Sequence, residues 1–232
     1  MYTGFKIEPP FFEIGPKAYM YGERLLKLAK AADRAAAKYD VRILITPQPS
    51  DLYMLAQATE NIILVAQHID PIEVGRGQGS ILAEAVKAAG ARAVMLNHAE
   101  KPISLADMAK AIKRADEVGL VSIVCADSLR EAEAVAKLGP NIIVAEPSEL
   151  IGTGTTSDEE YVRATTSAIK SVNPDIQVLQ AAGIKCGDDV YKVIRAGADA
   201  TGTTSGVMRA ADPEAAMEEM ISAVRRAWNE TH

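Results

Sequence analysis

The chain has 232 residues, of which 48% are hydrophobic, 24% charged and 5% aromatic, and it carries a formal net charge of −6. That balance argues against a nucleic-acid partner, which needs clustered Lys and Arg, but leaves room for a small anionic substrate held by backbone N–H groups. Met1–Phe12 has no export-signal pattern, no apolar run approaches the ~18 residues of a spanning helix, and Cys125 and Cys186 match no metal or redox spacing, so the sequence predicts a cytoplasmic enzyme with reduced thiols and no membrane partner.

Residues 1–9 read as an N-terminal extension, and the first strand-like run is Phe11–Ile14, followed by an amphipathic helical stretch at Glu23–Tyr39. The strand-like runs Val41–Thr46 and Ile62–Gln67 come next, then a helix over Ser80–Ala89 and a strand over Ala91–Leu96. The alternation continues with helix Leu105–Val118, strand Val121–Cys125, helix Leu129–Leu138 and strand Ile142–Ala145. It ends with helix Asp158–Ser171, strand Ile176–Leu179, helix Gly187–Ala196, strand Ala198–Gly202 and helix Pro213–Trp228. The strand runs are rich in β-branched residues and lack clean alternation, as expected of strands buried on both faces of a parallel sheet. Ser104 and Asp107 form a capping-box pattern, Asp212-Pro213 places proline at the first helical position, and Gly90, Gly119, Gly139 and Gly197 stand where left-handed caps are expected. Eight strand–helix units without a linker between them predict a single-domain (β/α)8 barrel; a doubly wound sheet lacks support, since no G-x-G-x-x-G follows the first strand.

In a barrel the reactive side chains stand just after the strand ends. Those positions hold Gly15-Pro16-Lys17, Gln67-His68, Asn97-His98-Ala99-Glu100, Glu146-Pro147, Ala182-Gly183 and Ser205-Gly206. A carboxylate at such a mouth can take a proton from carbon beside a carbonyl, a neutral histidine and a lysine can stabilise the enediolate, and glycine turns let amides approach a phosphate. Together these predict an aldose–ketose isomerase of a phosphorylated sugar. Taken singly, each has a structural reading: a salt-bridged Glu, a hydrogen-bonded core His, a solvated Lys. His68 with Asp70 and Glu73 matches no strong metal-ligand pattern, so neither metal nor cofactor is expected. Gly75-Arg76-Gly77-Gln78-Gly79 follows a polar loop rather than a strand and reads as a loop or an interface segment.

At these residues the sequence resembles the triosephosphate isomerase family, in its short archaeal-type branch, over residues 10–226. Glu146-Pro147-Ser148-Glu149-Leu150-Ile151-Gly152-Thr153-Gly154 resembles the block of the catalytic base and its lid, and Leu96-Asn97-His98-Ala99-Glu100-Lys101 the block of the electrophilic histidine. Ala182-Gly183-Ile184 and Ser205-Gly206-Val207 resemble the phosphate-binding turns; Ala66-Gln67-His68 with Gly75-Arg76-Gly77 resembles an intersubunit loop. The resemblance implies a TIM barrel with Glu146, His98 and Lys17 as catalytic residues. It also implies Ile151, Gly152, Ala182, Gly183, Ser205 and Gly206 at the phosphate, Glu100 behind the lysine, lid hinges near Pro147 and Thr155–Ser157, and a homodimer or homotetramer. The implied reaction interconverts dihydroxyacetone phosphate and glyceraldehyde 3-phosphate in glycolysis and gluconeogenesis. The chain departs from the family's N-x-K-x-Y strand-1 block, reading Gly15-Pro16-Lys17-Ala18-Tyr19; Ala181, Pro102 and Thr203-Thr204 are further changes. These departures keep two alternatives open: an isomerase of a four-carbon or longer ketose phosphate, and a phosphate-binding paralogue with little catalysis.

Overall fold

The computed structural model describes residues 1–151 and 159–232, with the Glu149 side chain left aside. Eight parallel strands close into a barrel in chain order: β1 Phe11–Ile14, β2 Arg42–Ile45, β3 Ile63–Ala66, β4 Ala93–Leu96, β5 Val121–Ala126, β6 Ile142–Ala145, β7 Gln177–Gln180 and β8 Ala200–Thr203. The helices are α1 Gly22–Tyr39, α2 Leu52–Ala58, α3 Ala83–Ala88, α4 Leu105–Val118, α5 Leu129–Ala136, α6 Glu159–Val172, α7 Gly187–Arg195, the short α8 Ser205–Met208, and α9 Pro213–Asn229. The expected (β/α)8 fold is therefore what the chain adopts, with strand centres where the apolar runs lie. The short helix α2, preceded by a 3-10 turn at Pro49–Asp51, fills the stretch between the second and third strand runs. Only seven residues long, it is too brief for helical periodicity to stand out from the sequence.

Punctuation follows local chemistry. Ser104 accepts a hydrogen bond from the Asp107 amide at 3.1 Å, and Asp212 accepts from the Glu214 and Ala215 amides, each at 3.1 Å. Each carboxylate or hydroxyl satisfies donors that a helix N-terminus leaves unpaired. Gly119 ends α4 at φ 76, a conformation that costs a residue with a Cβ about 1 kcal/mol or more.

Two buried layers result. Residues pointing outward from the strands, among them Phe12, Ile14, Ile43, Ile45, Val94, Ile143 and Val178, pack against the helices. Residues pointing inward, among them Phe11, Leu44, Val65, Met95, Ile123, Val144 and Leu179, fill the barrel. The N-terminal segment is more than an extension: Ile7 is 1% exposed and belongs to the interior cluster, with Tyr2 and Phe5 packed against it. Its backbone is pinned by Gln177 Nε2 donating to Ile7 O at 2.6 Å and Asn141 Nδ2 donating to Tyr2 O at 2.7 Å, and the Arg92 guanidinium lies 3.7 Å from the Phe5 ring centroid. These contacts lie at the N-terminal ends of the strands, so the polar chemistry is left to the opposite mouth. No described helix is long and apolar enough to cross a membrane.

Candidate active site

At the C-terminal mouth of the strands lies a cavity of about 740 Å³. Glu146, the first residue after β6, projects into it, and the ring of His98, two residues after β4, faces it from across the mouth: His98 Nε2 and Glu146 Oε2 are 3.9 Å apart. That distance is longer than a hydrogen bond, so neither group is committed to the other and both remain available to a substrate bound in the cavity beside them. Lys17, after β1, completes the set, with Nζ 2.9 Å from Glu100 Oε1.

The backbone that presents these groups is held in uncommon conformations. Lys17 has φ 46, Asn97 φ 56 and Ala182 φ 80, three of the four non-glycine residues with positive φ among the described residues. Such geometry persists only where surroundings enforce it. Here Gln48 and Gln67 donate from their Nε2 atoms to Lys17 O at 3.0 and 3.2 Å. Asn97 is clamped on both sides of its amide: Nδ2 donates to Cys125 O and Glu131 Oε1, each at 3.0 Å, and Oδ1 accepts from the Ile103 amide at 3.1 Å. The loop carrying His98 is thereby fixed to its neighbours in the barrel.

The hydrogen bonding settles the imidazole tautomer. His98 Nδ1 accepts from the Glu100 amide at 3.0 Å, so a neutral ring carries its proton on Nε2, toward Glu146 and the cavity. Burial and then the Lys17 charge hold the His98 pKa below its ordinary 6.5, keeping the ring neutral near pH 7. Glu146 is shifted the other way: burial raises its pKa above 4.5, while the Lys17 charge and the Ala182 amide pull it down. A carboxylate so placed binds a proton more tightly than one in water, a neutral N–H donor faces it, and a cation stands at the rim. This arrangement can remove a carbon-bound proton and stabilise the oxyanion that follows.

The turns expected at a phosphate are arranged unequally. Ile151, Ala182, Gly183 and Ser205 line the cavity. Gly206 does not: its amide donates to Thr203 Oγ1 at 3.2 Å, and a Cβ there would stand 2.8 Å from Ile184 O, so this glycine serves close packing beneath the turn. Gly152 and Thr155–Ser157 lie outside the described residues. His68 is a structural residue: it is 5% exposed, its Nε2 lies 3.2 Å from Asp70 Oδ1, and Asp70 in turn receives the Ile81 amide at 2.6 Å.

Among the cavity-lining residues that the sequence does not single out are two charged ones, Arg209 and Glu13. Arg209, just after α8, reaches the mouth with its guanidinium over the Tyr19 ring, 5.6 Å from the centroid. Glu13 lies inside β1, a charge in an otherwise apolar run and in phase with the inward-pointing Phe11, which was the available signal. It is 9% exposed and accepts from Thr46 Oγ1 at 2.5 Å.

Comparison with known proteins agrees with this geometry. A profile of the triosephosphate isomerase family matches residues 14–224. The chain is 42% identical over 204 residues to the triosephosphate isomerase of Methanothermus fervidus, covering 87% of this chain and 91% of that protein. It is 38% identical over 222 residues to the enzyme of that name from Methanobacterium bryantii, covering 94% and 98%, and 38% identical over 219 residues to that of Sulfurisphaera tokodaii, covering 93% and 95%. With a closed eight-stranded barrel and a match across nearly its whole length, this chain belongs to the triosephosphate isomerase family.

Proposed function

We propose that this protein interconverts dihydroxyacetone phosphate and glyceraldehyde 3-phosphate, with Glu146 as the base. The observation that carries the reading is the opposition of the Glu146 carboxylate and the His98 Nε2–H across a 3.9 Å gap. Glu146 takes the proton from the hydroxyl-bearing carbon next to the carbonyl, and the electron pair moves through the new C=C bond onto the carbonyl oxygen, which takes a proton from His98 Nε2. The neighbouring hydroxyl gives its proton back to that nitrogen and becomes the new carbonyl as Glu146 returns its proton to the former carbonyl carbon. His98 donates to the oxygens that gain charge, Lys17 supplies the cation, and Glu100 holds the lysine. The phosphate is assigned to Ile151, Gly152, Ala182, Gly183, Ser205 and Gly206. Of these, the Ser205 and Gly183 amides support the assignment best, since the Gly206 amide is engaged by Thr203. The reading needs no metal or other cofactor, because its proton and charge transfers all use side chains of this chain.

A longer ketose phosphate would need room beside Gly15. A Cβ at that position would already meet Thr204 Oγ1 at 3.0 Å and Glu13 Oε1 at 3.2 Å, so the omitted side chain leaves no free subsite. A binding-only role leaves the opposed base and donor without a task. The purified protein is expected to interconvert the two triose phosphates in a coupled assay; absence of interconversion at any pH between 5 and 9 overturns the reading.

The same reading places the protein in the cytoplasm, in glycolysis or gluconeogenesis, as a homodimer or homotetramer. Residues 73–80 are all exposed, with Val74 75% exposed, which supports association through this loop. Light scattering should give a mass above that of one chain, and a monomer across the micromolar range would refute it.

A further inference from the structure

Among the described residues, Glu13 is the one buried acid of the cavity that the reaction above leaves without a role. Its surroundings are built for it. It stands in register with Leu44 on β2 and Gly202 on β8, on the inward face, one layer beneath the mouth. Gly202 makes the place: a Cβ there would lie 2.8 Å from Glu13 O, 2.9 Å from Glu13 Cβ and 3.1 Å from Glu13 Oε2. Gly15 clears the other side, where a Cβ would meet Thr204 Oγ1 and Glu13 Oε1 at 3.0 and 3.2 Å. Two departures of this chain from the family pattern named above, Gly15 and Thr204, thus lie beside this carboxyl, whereas the Thr203 hydroxyl donates to Ile184 O at 2.7 Å. Thr46 occupies Oε1 by donating to it at 2.5 Å, and Oε2 has no hydrogen bond among the described residues. Both the residue and its neighbour Gly15 line the cavity shared with Lys17, His98 and Glu146.

We propose that Glu13 is a substrate-contacting residue of the isomerisation, its carboxyl anchored through Oε1 by Thr46 and presenting Oε2–H to a substrate oxygen in place of the side chain that residue 15 lacks. The inference rests on the isomerase reading of the site and deepens it. A neutral carboxyl is required, because an anion beneath an enediolate repels the charge that the reaction creates. Burial, against the Thr46 hydrogen bond and the Lys17 charge, pushes the Glu13 pKa up to about 7, and the Glu146 charge adds to the rise. The titratable groups that face it are Lys17 from the loop after β1, Glu146 just after β6 and Cys125 from β5, whose thiol burial keeps protonated. Below pH 7 Glu13 holds its proton and donates; as pH rises through about 7 it ionises, the donor is lost, and its charge also makes Glu146 harder to ionise.

The test is the pH dependence of kcat/KM for dihydroxyacetone phosphate in the wild type, Glu13→Gln and Glu13→Leu, each checked for folding by thermal melting. Wild type is expected to lose activity as pH rises through about 7. Glu13→Gln, which carries a donor that does not titrate, should show no such fall. Glu13→Leu should lose roughly tenfold to a hundredfold of kcat/KM below pH 7, the range of a hydrogen bond to a charged group. A Gln variant that keeps the fall, or a Leu variant within twofold of wild type, overturns the proposal. If Glu13→Leu does not fold, the Gln profile decides alone. A wild type that turns over neither triose phosphate defeats the isomerase reading instead. Calorimetric binding of 2-phosphoglycolate then decides the Glu13 contact: a fall in affinity above pH 7 that Glu13→Gln abolishes supports it, and identical profiles remove it.

Discussion

Replacing Glu146 with glutamine should lower kcat by on the order of 10³- to 10⁴-fold, the usual contribution of a positioned general base. The substitution keeps the shape and polarity of the side chain and removes only its ability to take a proton. Melting temperature and phosphate affinity should therefore change little while turnover collapses, so the loss falls on kcat and not on KM. The wild-type acid limb supplies a second readout. Because burial raises the Glu146 pKa above 4.5, kcat/KM should begin to fall on acidification at a higher pH than for an ordinary carboxylate, and the residual activity of the Gln variant should lack that limb. A Gln variant within tenfold of wild type would move the base elsewhere, with Glu13 the next candidate by position.

His98→Asn isolates the second half of the chemistry. The asparagine amide oxygen can take over the acceptor role of Nδ1 toward the Glu100 amide, a contact 3.0 Å long in the native protein, but nothing then reaches the place of Nε2. Removing one preorganised donor from a developing oxyanion costs about 10²- to 10³-fold in kcat. The pH profile should keep its wild-type shape, because the His98 pKa is held below 6.5 by burial and Lys17 and the ring is already neutral over the working range. Steady-state kinetics between pH 6 and 9 checks this; a profile that changes shape would mean that His98 acts as a titrating acid and not as a neutral donor.

Much of the architecture can be read along the chain, and the reason is local. Strand and helix periodicities are set by which residues within a few positions are apolar, and the caps at Ser104, Asp212 and Gly119 depend on residues two to four positions away. The His98 loop is legible for a similar reason: Asn97 binds the Ile103 amide, a short-range contact within one distinctive block. Helix α2 was hidden because its seven residues supply fewer than two turns of amphipathic pattern.

The alternation of eight strands and their helices, and the candidacy of Lys17, His98 and Glu146 at the strand exits, are written along the chain. The opposition of His98 and Glu146 and the pairing of Lys17 with Glu100 were decided by tertiary structure. So was the place of Glu13, which depends on β1 closing against β8 with Glu13 opposite Gly202, strands at the two ends of the chain. The physical reason is that barrel closure and stagger fix which inward side chains share a layer, and that register is carried by contacts far apart in sequence. A charge within an apolar strand is visible in one dimension; the slot that two glycines and two threonines make for it exists only in three.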